Sequence, residues 1–433
     1  MIEHTILERV SAWAAGASDA EAAAAACVDD FLACLMLGRR AAQVQQPLRR
    51  WLGASRDAWL VEAGALAHAL EWDDSIVRSV VHPAVVVVAP AISAARDVGT
   101  LVRAVGAGYD VIGYLGEVLG EAHYARWLHP TPCLGPYGGA AAAALGLGQL
   151  ELLPRAFGLI PSFASGSMSF LQDGSWTKGI QTGWANRLAV EVLRLAEDAF
   201  PYPTRPFSGH AALGASFGVS EWPQPLWESE DAYVRHVTVK PFPSCRLTHG
   251  VIEAALALAL LPEAIESVEI ALHPRAHAIV GRPDDTKRSA ATLVERQFSA
   301  HYCAAVALGA PRHLAAALLG GELDSPVAST VDSILKSTSA IVDATLPLDG
   351  CRLTVRAGSR DHVSTVEIPQ GDPTRPLDDE TRRRKWRTAV GDDAEGDRIA
   401  ANVSRLLKAP SASVAELMEI VDPNFPKKRV DGR

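Results

Sequence analysis

The sequence is poor in the patterns that mark several common protein classes. Its six cysteines (Cys27, Cys34, Cys133, Cys245, Cys303 and Cys351) are scattered with no CxxC or CxC spacing, which disfavours a structural zinc site or an iron–sulfur cubane and reads as buried thiols. Aromatics make up only 6% of the chain, and basic charge is not in excess: 41 Lys+Arg stand against 50 Asp+Glu, a formal net charge of −9. Such a chain has no electrostatic footprint for a polyphosphate, so nucleic acid is not an expected partner. Long apolar runs are also missing. The longest, around Ala84–Ala95 and Tyr137–Leu147, are too short or too rich in Gly and Pro to span a bilayer, and no membrane partner is expected. The opening MIEHTILERV lacks the basic and apolar regions of a secretion signal, which predicts a cytosolic protein.

What is present describes a globular chain. With 433 residues, 48% apolar and 21% charged, it is long enough for two domains and a substantial core. The first half reads as helices. Ser18 and Glu21 are spaced as a capping box opening a helix that stops at Gly38. Alanine-rich segments follow at about 59–72, 84–95, 100–119, 137–149, 151–171 and 179–198. Helices surfaced with Ala and Gly approach closely, which predicts a compact bundle.

Near residue 201 the character changes. VRHVTVKPFPSC and SVEIALHP predict strands, 248–261 and 290–309 predict helices, and CRLTVRAG running into STVEIP predicts a hairpin. The expected fold class is therefore mainly α with an α+β second domain: a helical domain over 1–238, an α+β domain over 239–394, and a C-terminal helix at about 395–433 docking back on the first. The basic run RRRK at 382–385 reads as a solvated helix face.

Three His-Pro pairs stand out: His82-Pro83, His129-Pro130 and His273-Pro274. Proline keeps the preceding residue out of helical dihedrals and suits a first helical turn, so His82 and His129 should sit just ahead of helices. There an imidazole lies near amide groups that favour a bound carboxylate; capping or packing is the alternative role, and the one assigned to His273 at a strand end. Glu71, Asp73 and Asp74 cluster at a helix end before His82. Carboxylates beside a histidine can form an acid/base pair or bind a divalent metal. The chain has no HxH or HExxH, so no metal is expected, and the aspartates have capping or pairing with Arg78 as alternatives. Lys178 opens a helix flanked by Trp176 and Trp184, which suggests burial, and Lys240, Cys245, Arg246 and His249 converge at a strand-to-helix junction. Clustered Lys, Arg and His without nucleic-acid features point to a small polyanion.

These stretches together resemble the MmgE/PrpD family, which includes 2-methylcitrate dehydratase, cis-aconitate decarboxylase and iminodisuccinate epimerase. The resemblance rests on HALEWDDSIVRSVVHP, WLHPTPCLGPYGGAAAAA, WTKGIQTGWANRLAV, VKPFPSCRLTH and GDPTRPLDDETRRRKW, which occur in family order over about residues 64–386. It implies a large helical domain with a smaller α+β lid, a homodimer, a cleft active site and no cofactor. Carried over by position, the site includes the acidic cluster, His82, His129, Lys178 and Lys240. Two departures stand out: Glu71 replaces a family aspartate, and Cys245 replaces a histidine. A neutral thiol cannot carry protons as imidazole does unless its pKa is depressed, and His249 is the candidate substitute. A family tyrosine corresponds to Ile279.

The family reactions move a proton at carbon next to a carboxylate, or stabilise the carbanion left by CO₂. The expected parts are a cationic clamp of Lys178, Lys240 and Arg246, proton transfer by His82 and His129, and Glu71 or Asp73 to orient a histidine or carry the second proton. Cys245, His249 and Asp74 would line the substrate site. The first expectation is a cofactor-independent lyase dehydrating a hydroxylated di- or tricarboxylate, with a pH profile bending near neutrality. An epimerase of a substituted succinate comes second, decarboxylation third, and a non-catalytic carboxylate-binding homologue last.

Overall fold

The computed structural model describes residues 2–422 apart from 17, 54, 56, 220 and 230, together with residue 425. Its first part is a helical bundle whose centre is the hairpin of helices Val98–Tyr124 and Pro130–Leu147, packed against Ala58–Ala69, Ala84–Ala94 and Thr177–Glu197. These helices pack closely because they have little surface relief. A Cβ on Gly138 would lie 2.7 Å from the Gly108 carbonyl, and one on Gly183 would lie 2.2 Å from the Val61 carbonyl. Glycine at these positions lets whole backbones touch, which brings the helix starting at Thr177, and Lys178 in its first turn, against the end of Ala58–Ala69.

The second part contains a four-stranded sheet in the order β2-β1-β3-β4, with β1 Ile265–Leu272, β2 Thr338–Val342, β3 Cys351–Ala357 and β4 Arg360–Val366. β1 pairs parallel with β2 and antiparallel with β3, and β3 forms a hairpin with β4. Helices His249–Leu258 and Ala300–Gly309 bury one face, so β3 alternates buried and half-buried residues. The fold is thus mainly α with an α+β part. Among the described residues two hydrophobic cores form, one in the bundle and one around the sheet. Helices Asp393–Leu407 and Val414–Val421 return to the bundle core, where the Val98 and Gly99 amides donate to the Ala412 and Pro410 carbonyls. The C-terminal helix expected to about 433 is described only as far as Val421.

Several local expectations are corrected. Ser18 makes no capping box; its hydroxyl accepts from the Ala20 amide and the helix starts at Glu21 without a side-chain cap. The helix expected over 151–171 stops at Leu159, breaks into a turn at Pro161 and resumes only as Phe170–Asp173, because proline removes an amide donor. The 290–309 helix is two helices, Leu293–Gln297 and Ala300–Gly309. VRHVTVKPFPSC is not a strand: a short 3₁₀ turn covers Tyr233–His236, and Thr238 makes only an isolated bridge with Ser75. In the RRRK run Arg382, Arg383 and Arg384 are exposed, but Lys385 is buried against Asp30.

Gly183→Ala is expected to lower unfolding free energy by about 1–3 kcal/mol, the range for overpacking a tight interior. Urea denaturation checks this; an unchanged midpoint would mean the helices separate freely.

Candidate active site

The site is built on the chain between the helices Ala58–Ala69 and Ala84–Ala94. After Ala69 the backbone reverses at Glu71, whose φ is +55°, a left-handed conformation uncommon for any residue but glycine. This segment is held by its carbonyls. Gln297 Nε2 donates to the Leu70 carbonyl at 3.1 Å, Lys240 Nζ to Glu71 at 3.0 Å, Lys385 Nζ to Trp72 at 2.6 Å and His82 Nδ1 to Asp74 at 2.8 Å. Trp72 Nε1 in turn donates to the Lys240 carbonyl.

Inside that frame three histidines stack. His68 lies against His129 with ring centroids 5.7 Å apart, and His82 meets them edge-on at 4.9 and 6.5 Å. Asp73 Oδ2 sits 2.8 Å from His68 Nδ1 and 3.1 Å from His82 Nδ1. Since a carboxylate and the Asp74 carbonyl can only accept, both Nδ1 atoms carry protons and each Nε2 keeps its lone pair. His129 follows the same rule: its Nδ1 donates to Gln181 Oε1, and the Gln181 amide is oriented by donation to the Ser167 carbonyl. Burial lowers all three pKa values. His82 falls to about 4, because burial and the charges of Lys178 and Lys240 outweigh Asp73. His68 and His129 move in the same direction, His129 furthest, with Lys178 adding to burial.

The carboxylates go the other way. Burial would raise Glu71, but Lys178 and Lys240 overcome it and hold it at about 2. Asp73 is held well below its usual range against burial by His68, Lys240 and His82. Lys178 bonds Glu71 Oε1 directly and lies over the Phe298 ring, while Lys240 is 3.6 Å from Glu71 Oε2 and 3.8 Å from Asp73 Oδ1. Burial would lower Lys240; Asp73 and Glu71 raise it. The result is a buried set of ions, all charged, beside three neutral bases.

A cavity with about 670 Å³ of empty space, part of it open to solvent, is lined by Glu71, His82, His129, Lys178 and Cys245. Asp73 and Lys240 lie directly behind it, bonded to its lining. Three expected substrate contacts, Asp74, His249 and Lys240, do not line the cavity. Asp74 is fully buried, accepting from the Tyr109 hydroxyl and capping the Ala84 amide, so the amide end expected to attract a ligand carboxylate already holds the protein's own. Burial raises Asp74 to about 8. Arg246 lines the cavity as expected, and its guanidinium also donates to Asp349 and to the Gln370 and Pro369 carbonyls. His249 is buried away from the cavity, with Nε2 near the Ser244 carbonyl, so it does not stand in for the missing imidazole. Cys245 lines the cavity, and burial raises its pKa, keeping it a neutral thiol. Ile279 belongs to the sheet core. Arg78 pairs with Glu117 instead of an aspartate of the cluster.

Sequence reasoning missed His68, Tyr124, Arg275 and Phe298. His68 was legible as the histidine five residues before Asp73, in the last turn of the helix Ala58–Ala69. Arg275 follows the set-aside His273-Pro274 pair, where His273 Nδ1 accepts the Arg275 amide and starts the turn. Tyr124 and Phe298 also line the cavity and carry no local signal.

Among the described residues His68, Asp73 and His82 also bring ligand atoms within 4.8 Å of one another, close enough for a metal ion. Lys240 beside Asp73 already supplies the positive charge there, and a divalent cation would meet it as a like charge.

The depressed His82 value sets a pH dependence. A folded value of about 4 against an ordinary 6.5 means that the unfolded chain takes up the proton first. Stability is full above about 6.5 and falls as pH drops toward 4, by on the order of 3 kcal/mol from this residue. Thermal melts of the native protein and of His82→Asn should diverge in this window; parallel curves would assign the acid sensitivity elsewhere.

No curated protein matches this chain. The MmgE/PrpD N-terminal domain matches residues 10–222 and the MmgE/PrpD C-terminal domain matches residues 242–406. No helix among the described residues is long and apolar enough to cross a membrane. The two matches run in order over most of the chain and take in the histidines, the acidic cluster and Lys178, so the protein belongs to the MmgE/PrpD family, whose members are generally dehydratase-type enzymes.

Proposed function

We propose that the protein is a cofactor-independent lyase that dehydrates a hydroxylated di- or tricarboxylate by removing a proton next to a carboxylate. The observation that carries this reading is the tautomer of His82. Its Nδ1 proton is fixed on the Asp74 carbonyl and Asp73, leaving Nε2 unprotonated in a residue that lines the cavity. Because burial keeps His82 neutral down to about pH 4, the base is ready throughout the neutral range, and the acid limb of the rate falls well below the bend near neutrality that an unperturbed histidine gives.

In this mechanism the C–H bond beside the carboxylate breaks and its proton moves to His82 Nε2. The electron pair becomes the new double bond as the hydroxyl on the neighbouring carbon leaves, taking back the proton held on His82 Nε2 to depart as water and returning the imidazole to its neutral form. Lys178 keeps donors beyond the one on Glu71, and these hold the carboxylate and spread the enolate charge. Asp73 stabilises the imidazolium formed on His82, as a carboxylate does in a hydrolase triad. Lys240 acts behind the site, holding Glu71 and Asp73 in place.

A second reading, an epimerase of a substituted succinate, draws support from the 6.5 Å separation of the His82 and His129 rings, which suits two opposed proton carriers. It requires one of them protonated at the start. The depressed pKa of both favours the lyase. A homodimer is part of the proposal through family membership alone.

The test is proton NMR of EDTA-treated protein in D₂O with citrate-like, malate-like and substituted succinate acids. Deuterium beside a carboxylate together with a new alkene is expected. His82→Asn, which keeps a donor for the Asp74 carbonyl, should lower the rate about 10²–10⁴-fold, the usual worth of a general base, and Lys178→Ala should abolish exchange. Exchange with inversion and no alkene would select the epimerase, and undiminished exchange in His82→Asn would remove that residue as the base.

A further inference from the structure

We propose that Glu71 makes this cavity selective for an acid with no more than two carboxylates and an apolar substituent, by occupying the lysine that a further substrate carboxylate would need. The inference rests on the carboxylate-site reading above and narrows its substrate class.

The cations come first. Each cation that lines the cavity, and Lys240 behind it, already has a carboxylate: Lys178 has Glu71, Lys240 has Glu71 and Asp73, Arg246 has Asp349, and Arg275 has Glu121. Lys240 is fully buried and also bonds the Glu71 carbonyl, and Arg246, which borders the cavity, has its charge met by Asp349 and each of its three nitrogens already donating, to Asp349 and to two carbonyls. The three histidines are neutral and add no charge. The spare donors of Lys178, and of Arg275 beside the exposed Glu121, are the ones left on cations with a nitrogen not yet bonded to the protein's backbone. A third carboxylate would shed its hydration with no cation to meet it, and an unpaired buried charge is costly.

The rest of the wall is apolar. Val77, Val80, Met168, Leu247 and Leu348 line the cavity, and a polyacid would leave them facing charge. Val80 is held at φ +56°, a strained conformation for a β-branched residue, and such strain is retained where the surroundings over-determine it, often at ligand contacts. The Glu71 carboxylate accepts from Lys178 while its own carbonyl accepts from Lys240.

The test measures binding by calorimetry for three probe acids: succinate, butylsuccinate and propane-1,2,3-tricarboxylate. The native protein should bind butylsuccinate at least about tenfold more tightly than the tricarboxylate, the scale of one well-discriminated group in a pocket. Glu71→Gln should narrow that ratio about tenfold by freeing Lys178. Val80→Gly relieves the strain, and so should fold, and should reduce only the preference for butylsuccinate over succinate. A tricarboxylate that binds the native protein as tightly as butylsuccinate overturns the inference and leaves the carboxylate-site reading standing, as does a ratio that Glu71→Gln leaves unchanged. Failure of all three acids to bind at millimolar concentration overturns both.

Discussion

The site depends on four carbonyl oxygens, those of Leu70, Glu71, Trp72 and Asp74, each held by a side chain from elsewhere in the chain. Three of the donors, Lys240, Gln297 and Lys385, come from beyond the helical bundle in sequence. A segment that leaves a helix at Ala69 and turns through a left-handed Glu71 has no regular partners for its backbone. Buried carbonyls left unpaired would each cost free energy. The two lysines meet that need as cations, so the same contacts that hold the backbone place positive charge beside Asp73 and Asp30. Positioning and electrostatics are thus one arrangement, and removing either lysine would disturb both.

That arrangement explains why neutral and charged groups coexist in a buried place. Low dielectric penalises every ion, yet it strengthens the attraction between paired ones. Glu71 and Asp73 have lysines within reach and stay ionised; Asp74, a residue further on, has only a phenol and an amide and is pushed up to about 8. The histidines face cations as well as Asp73 and remain neutral. Neighbouring carboxylates of one short segment are therefore driven apart in pKa by what packs on them, a separation that acid/base chemistry uses.

Much of the fold was legible because its signals are local. The Gly/Ala helices, the β3–β4 hairpin and the helix starts after His82 and His129 follow from periodicity and from proline stereochemistry. Expectations failed where tertiary contacts override propensity: the β-branched stretch before Lys240 is used as a tie to the loop at Ser75, and Lys385, one of four basic residues in a row, is the one turned inward to Asp30. The candidate site was legible in part for the same reason. His82, His129, Glu71, Asp73, Lys178 and Lys240 carry chemistry in unusual local settings, whereas Tyr124 and Phe298 look like any core aromatic.

By itself the sequence determined the class of helices, the family motifs and the set of groups able to move a proton, since these depend on residue type and short spacing. Only the tertiary structure decided which of those groups face the cavity and which serve the scaffold. Lys240, His249 and Asp74 have the same side-chain chemistry as true cavity residues, but their hydrogen bonds go to the Glu71 carbonyl, Ser244 and Tyr109. Protonation states were decided there too, because a pKa depends on burial and on charges brought near from 100 or more residues away.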